Sequence, residues 1–300
     1  MRRRKSILIY LFIAVLALML CACSINKNDD QSRQQGGTIT GREEEPPPAE
    51  ELEELTVYCF KAGKADATLI YSPKLTILID CGEKGFGKEI VSYLKAHSVK
   101  KLDMLIITHF DKDHVGGAAK VIKELDIAQV VQSNCPKESD AYDDYAEALG
   151  KKNIKPVTIR ERQSVRIGGA EITVYPPMQE YYRTDPSNNS SLITSVGYGS
   201  NRLLFAADAQ DARLMEFAEQ NEGTFDFLKV PYHGHYQQKL GLFLQSVSPR
   251  IAVITSSDEE PEDGKTMQLL SDINAKVFLT RTAPVIIRCD GSRITAEYEM

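Results

Sequence analysis

The chain predicts an α+β fold, a four-layer αβ/βα sandwich in which two mixed sheets pack face to face and helices cover their outer sides. Three observations carry that reading. Short runs rich in Val, Ile, Leu, Thr and Tyr cluster in two sets, each accompanied by segments of helical spacing. The run Met104-Leu105-Ile106-Ile107 is apolar at every position, as a buried strand is. It leads directly into Thr108-His-Phe-Asp-Lys-Asp-His-Val-Gly-Gly117, where His109, Asp111, Asp113 and His114 set four potential metal ligands within six consecutive positions.

Residues 1–22 have the form of a secretory leader. Arg2-Arg3-Arg4-Lys5 precedes an apolar run from Ile7 to Leu20 that is slightly short for a spanning helix, and small residues follow. Leu20, Ala22 and Cys23 resemble a bacterial lipobox with Cys23 as lipid acceptor. Cys21 is the poorer acceptor, because Leu20 would then stand where a small residue is wanted. An uncleaved N-terminal anchor is the alternative, and both readings place the remainder outside the cytoplasm at a cell membrane. Residues 23–54, centred on Glu43-Glu44-Glu45-Pro46-Pro47-Pro48, cannot bury a core and read as a tether. Residues 55–300 are the folded domain. The formal net charge is −6, and losing the leader removes only basic residues. Such a chain does not attract nucleic acid through its overall field, although a metal site supplies positive charge locally. Cys59, Cys81, Cys135 and Cys289 show no C-x-x-C spacing. A disulfide is open to a chain outside the cell, but Cys59 and Cys81 lie in apolar runs, where a small buried residue is the commoner explanation.

From Leu55 the elements follow in order. Residues 55–60, 67–71 and 75–80 read as strands, the third ending in Ile79-Asp80-Cys81-Gly82. Residues 87–97 form a helix with Ile90, Val91 and Leu94 on one face and His97 at its end. The strand 102–107 feeds the ligand-rich loop, and Gly116-Gly117 lets the backbone turn tightly before a helix at 117–125. A strand at 127–132 and a helix at 140–150, stopped by Gly150, come next. Residues 156–175 read as strand, turn and strand about Gly168-Gly169. Pro186 to Leu192 opens the following strand, and 191–198 pairs with 202–207 in a hairpin that ends in Ala207-Asp208. Asp208 has two readings at this point, a carboxylate bridging two cations or the N-cap of a helix at 209–220. A strand at 226–230 runs into Pro231-Tyr232-His233-Gly234-His235. Strands at 251–255, 277–280, 285–289 and 292–298, with a helix at 264–273, complete the sheets.

The loop is similar to the His-x-His-x-Asp-His signature of the metallo-beta-lactamase superfamily, in the variant where the second His is Asp, as in ComEC-type DNA-uptake proteins. The resemblance extends to Ala62-Gly63-Lys64-Ala65-Asp66-Ala67, to Ile79-Asp80-Cys81-Gly82, to Ala207-Asp208 and to Pro231 to His235. It implies metal ligands at His109, Asp111, Asp113, His114, Asp208 and His233, with Asp80 supporting the loop from beneath. A turn-capping Asp is the other reading of Asp80. Asn188 and Asn189 stand about where most zinc hydrolases of this fold place a third His, so one metal position is short of a nitrogen ligand. Tyr232 replaces the first His of the family's His-His-Gly-Ser, and His235 replaces its Ser. His235 is then a proton donor, a substrate contact or a simple loop residue.

One or two divalent ions, Zn or Mn, are therefore expected, with metal-assisted hydrolysis in which Asp113 also orients the nucleophile. The resemblance implies a surface-tethered phosphodiesterase or nuclease, with a phosphoester or nucleic-acid substrate and a membrane contact through the lipid on Cys23. Hydrolysis of a small ester, lactone or β-lactam, and a non-catalytic binding lipoprotein with a vestigial site, are the alternatives. No protein partner can be inferred.

Overall fold

The computed structural model describes residues 37–40, 52–221 and 223–300. The leader, with Cys23, lies outside them. Strands β1 (Leu55–Cys59), β2 (Thr68–Ser72), β3 (Leu75–Ile79), β4 (Lys101–Leu102), β5 (Met104–Ile107), β6 (Asp126–Ile127), β7 (Val130–Gln132) and β8 (Val157–Thr158) come from the first half. The second half supplies β9 (Gln163–Ile167), β10 (Ala170–Tyr175), β11 (Ile193–Tyr198), β12 (Asn201–Phe205), β13 (Phe227–Lys229), β14 (Ile251–Ile254), β15 (Lys276–Leu279), β16 (Val285–Cys289) and β17 (Ile294–Tyr298). One sheet has the order β17-β16-β1-β2-β3-β5-β7-β8 and the other β15-β14-β13-β12-β11-β10-β9, while β4 and β6 form a small ladder. Each large sheet mixes parallel and antiparallel pairs. β3, β5, β7 and β8 run parallel in the first, and β12, β13, β14 and β15 in the second.

The four layers follow from side-chain alternation. Within β5, Met104 and Ile106 enter the core between the sheets, whereas Leu105 and Ile107 enter the core under the helices Gly87–Ala96, Ala118–Glu124 and Asp140–Lys152. β12 divides in the same way, Leu203 and Phe205 inward and Leu204 outward against the helices Asp211–Gln220 and Leu240–Val247. A strand sandwiched on both faces needs an apolar residue at every step, which is why these runs do not alternate.

Several boundaries differ from expectation. The helix from Asp140 passes through Gly150 to Lys152 and stops at Asn153, which adopts the left-handed conformation (φ 55°) that Asn tolerates. Residues 127–132 are two short strands in different sheets. Pro186–Asn189 is a single helical turn with Pro in its first turn, and the strand starts only at Ile193. The stretch read as a tether is not uniform. Ile39 is buried in the core between the sheets, its N–H donates to Gln163 Oε1 at 2.7 Å, and Gln163 Nε2 donates to Gly37 O at 2.9 Å. Leu52 also packs on that core, and Tyr198 donates to Glu53 O at 2.5 Å, so domain contacts begin before residue 55. Cys59, Cys81, Cys135 and Cys289 are free thiols. Among the described residues no helix is long and apolar enough to cross a membrane.

Candidate metal centre

β5 ends at the edge between the sheets, and the chain continues through buried Thr108 and His109 into a short helix, Lys112–Val115. Phe110 points the other way and anchors the loop against Tyr142, 4.8 Å between ring centroids. Asp111 is extended (φ −71°, ψ 147°), so the helical turn begins after it and presents Asp113 and His114 together. The following glycines serve by their lack of a side chain and not by an unusual φ. A Cβ on Gly117 would lie 2.1 Å from Cys81 O, and one on Gly116 would lie 2.3 Å from Lys112 O. That close approach lets Cys81 N donate to His114 O at 2.7 Å, tying the loop to the end of β3.

Three imidazoles converge here, each held at Nδ1. His114 Nδ1 lies 2.8 Å from Asp80 Oδ2, His109 Nδ1 lies 3.1 Å from Thr108 Oγ1, and His233 Nδ1 lies 3.2 Å from Thr255 Oγ1. Asp80 also accepts from Thr108 N and Thr108 Oγ1 at 2.9 and 2.7 Å, so it braces the loop and does not cap a turn. The opposite ring nitrogens face Asp208. His114 Nε2 and His233 Nε2 stand 3.3 and 3.0 Å from Asp208 Oδ2, and His233 Nε2 stands 3.7 Å from Asp113 Oδ2. Even so, Nε2 of His109, His114 and His233 and Oδ1 of Asp208 are buried without a hydrogen-bond partner. Buried polar atoms are normally paired. Four orphans lie in overlapping ligand groups, His109 with His114 and Asp208, and His233 with His114 and Asp113, each with its donor atoms within 4.8 Å of one another, which fits binding of one or two cations. Imidazole with carboxylate suits Zn, Mn or Fe.

The electrostatics agree. Burial opposes ionisation of Asp208, yet His233 and His114 hold its carboxyl well below the usual range. Burial alone would lower His114 and His233, but Asp208 and Asp80 lift His114 well above the ordinary imidazole value, and Asp208 and Asp66 lift His233 to about 9. His109 moves down, through burial and the neighbouring His114. The pocket thus concentrates negative charge, which protons on two histidines offset when no cation does.

The structure brings together His109, Asp113, His114, Asp208 and His233, with Asp80 beneath them. Asp111 sits at the rim. Its Oδ2 is 4.0 Å from His109 Nε2, while Oδ1 accepts from Lys137 at 2.7 Å and from Ser187. Asp208 does not cap a helix, since Asp211–Gln220 starts three residues later with Gln210 at its N-cap. His235 stands apart from the cluster. Tyr232 and His233 are both left-handed (φ 50° and 54°), which turns His233 inward and sends His235 outward to a 4.0 Å contact with Asp263. Asn189 is also elsewhere, donating to Thr184 O at 2.9 Å and accepting from Arg213 N at 3.1 Å. Sequence reasoning assigned no role to Lys229, which is buried against Asp66. A lone lysine inside the apolar run Phe227 to Val230 was the available clue.

An αββα sandwich carrying such a cage between its sheets is a metallohydrolase fold. The chain belongs to the metallo-beta-lactamase superfamily, whose family model matches residues 61–256. Its relatives make the likeness narrower. It is 26% identical over 204 residues to Recombination protein 2 of Haemophilus influenzae, covering 66% of this chain and 24% of that protein. It is 24% identical over 200 residues to ComE operon protein 3 of Bacillus subtilis, covering 64% and 25%. Competence protein ComA of Neisseria gonorrhoeae is 25% identical over 213 residues, covering 70% and 28%. The match therefore spans about a quarter of each relative's length. Among solved structures, the metallo-beta-lactamase fold protein YhfI from Bacillus subtilis superposes with a TM-score of 0.53 at 13% identity, covering 82% of this chain and all of that one. CmlA, a diiron beta-hydroxylase from Streptomyces venezuelae, gives 0.50 at 15% identity, covering 78% and 53%. At those identities the likeness is one of fold.

Proposed function

We propose that this hydrolase is a divalent-metal-dependent phosphodiesterase, acting on DNA or a related phosphoester and held at the membrane by a lipid on Cys23. The observation that carries the substrate class is a pair of half-exposed lysines at the mouth of an otherwise acidic site. Lys64 Nζ lies 3.8 Å from Asp113 Oδ2 and 3.0 Å from Glu260 Oε2, and Lys137 binds Asp111. In a chain of net charge −6, such cations beside the cage favour an anionic group over a neutral ester. The names of the relatives, recombination and competence proteins, point the same way.

His109, Asp111 and Asp208 would hold one ion, and Asp113, His114, Asp208 and His233 another. The first set has fewer nitrogens, and Lys137 competes for its rim carboxylate, so it is the weaker. When bound by these residues, a divalent ion would supply a Lewis acid for the scissile oxygen and lower the pKa of water. Asp113, 12% exposed at its side chain, would accept a hydrogen bond from the attacking water and orient it. Lys64 and Lys137 neutralise non-bridging phosphoryl oxygens as charge develops there.

Purified full-length protein should cleave single-stranded DNA and bis(4-nitrophenyl) phosphate with Mn or Zn, and Asp113→Ala should abolish both activities. Absence of cleavage with every divalent ion tested would sink the reading. Metal analysis of the purified protein decides separately whether the cage is filled. Retention in the membrane fraction, lost in Cys23→Ser, tests the anchor.

A further inference from the structure

Lys229 closes β13, a central strand of the second sheet, and is 2% exposed. Lysine is almost never buried so deeply without a partner. Its ammonium donates to Asp66 Oδ2 and, at 3.2 Å, to Ala207 O, and it stands 4.0 Å from Asp208 Oδ1. Asp66 arrives from the other sheet, in the connection between β1 and β2, so the ion pair bridges the two sheets at the edge that holds the cage. The second oxygen of Asp66 accepts from Thr255 Oγ1 at 2.5 Å and lies 3.5 Å from His233 Nδ1. Asp66 stands behind His233 less directly than Asp80 behind His114, because Thr255 Oγ1 is the nearer partner of His233 Nδ1 at 3.2 Å and itself bonds Asp66. A second difference separates the two supports. Asp80 is paired directly with His114 and the Thr108 donors, whereas Asp66 has a fixed cation of its own.

We infer that Lys229 is a positioning residue for the metal centre, acting through Asp66 to hold the His233 ring with Nε2 facing the ion. This rests on the reading that the cage takes a divalent cation. The ammonium pins the Asp66 carboxylate, which together with Thr255 Oγ1 backs the Nδ1 edge of the His233 ring and leaves Nε2 facing Asp208 and Asp113. The bond to Ala207 O steadies the residue just before Asp208, so the same ammonium touches the backing of two ligands. Supports of this kind typically set metal affinity by 10-fold to 100-fold.

A double-mutant cycle on the full chain tests this, with Lys229→Met, Asp66→Asn and the pair together. Zinc affinity is read by chelator competition, and coordination by the visible absorption of the cobalt-loaded protein. Each single variant should lose about 10-fold to 100-fold in affinity and change the cobalt spectrum, and the double variant should be no weaker than Asp66→Asn alone. The double variant leaves neither member of the Lys229–Asp66 pair as an unpartnered buried charge, so its comparison with Asp66→Asn remains decisive even if Lys229→Met alone fails to fold. Wild-type affinity in Lys229→Met, or a further tenfold loss from Asp66→Asn to the double variant, overturns the inference while leaving the metal centre intact. A wild type that binds no ion removes the metal reading itself, and this inference with it.

Discussion

Asp80→Asn is the change that separates bracing the loop from readying it for a cation. The buried carboxylate accepts three hydrogen bonds, from Thr108 N, Thr108 Oγ1 and His114 Nδ1. Asn can still accept from Thr108 N through its one carbonyl oxygen, and it tolerates the left-handed backbone (φ 57°) at this position. Its amide, however, must donate toward His114 Nδ1. The imidazole then moves its proton to Nε2, the atom that faces Asp208, and loses the lone pair a metal requires. Asp80→Ala instead leaves three donors unpaired in a site with no solvent access and places Ala where left-handed φ is unfavourable. Breaking a buried charged network in this way costs about 3–5 kcal/mol, a large part of the roughly 5–15 kcal/mol of a typical domain.

The two variants should therefore diverge. In urea unfolding of metal-free protein, Asp80→Ala should shift the midpoint down by about 1–2 M, and Asp80→Asn by well under half of that. In zinc titration Asp80→Asn should already lose about 10-fold to 100-fold in affinity. Wild-type zinc affinity in Asp80→Asn would refute the reasoning, because the tautomer argument leaves it no alternative.

Other consequences can be checked alongside. His233, lifted to about 9 from its ordinary value near 6.5, contributes stability that is fully present below pH 6.5 and is lost as pH rises through 9. The metal-free protein should lose stability over that window by chemical denaturation, and the zinc-loaded protein should lose less, since the cation replaces the proton. Ala207 sits at φ 48°, so Ala207→Gly should stabilise by about 1 kcal/mol, read as a higher Tm; an unchanged or lower Tm means the backbone there is not strained. Ile39→Ala should cost about 2 kcal/mol if residues 37–40 are part of the fold, whereas a free tether would show no change.

What was legible in the sequence was local, and what was hidden depended on contacts between distant segments. The apolar run 104–107 and the ligand-rich loop declare themselves, because a two-sided strand and a cluster of carboxylates and imidazoles are each visible within a dozen residues. Helix ends were less legible, since Asn153 and Gly150 are both plausible stops and only packing of the last turn decides between them. Lys229 and Asp66 are 163 residues apart, and neither is unusual in its own segment beyond a single charge in an apolar run. Their meaning arises when two sheets pack face to face and bring distant strand ends together, which no periodicity encodes. His235 shows the converse. Its residue type suggested chemistry, and two left-handed residues upstream set it half-buried beside Tyr232, outside the ligand groups. Chemistry-bearing residues on regular elements can be placed by pattern alone, whereas those beyond an irregular turn depend on dihedral angles that L-residues seldom adopt. The strained turn at Tyr232 and His233 and the left-handed Asp80 and Ala207 all adjoin the cage. Four of the nine left-handed non-glycine residues among the described residues thus lie where the ligands must be aimed.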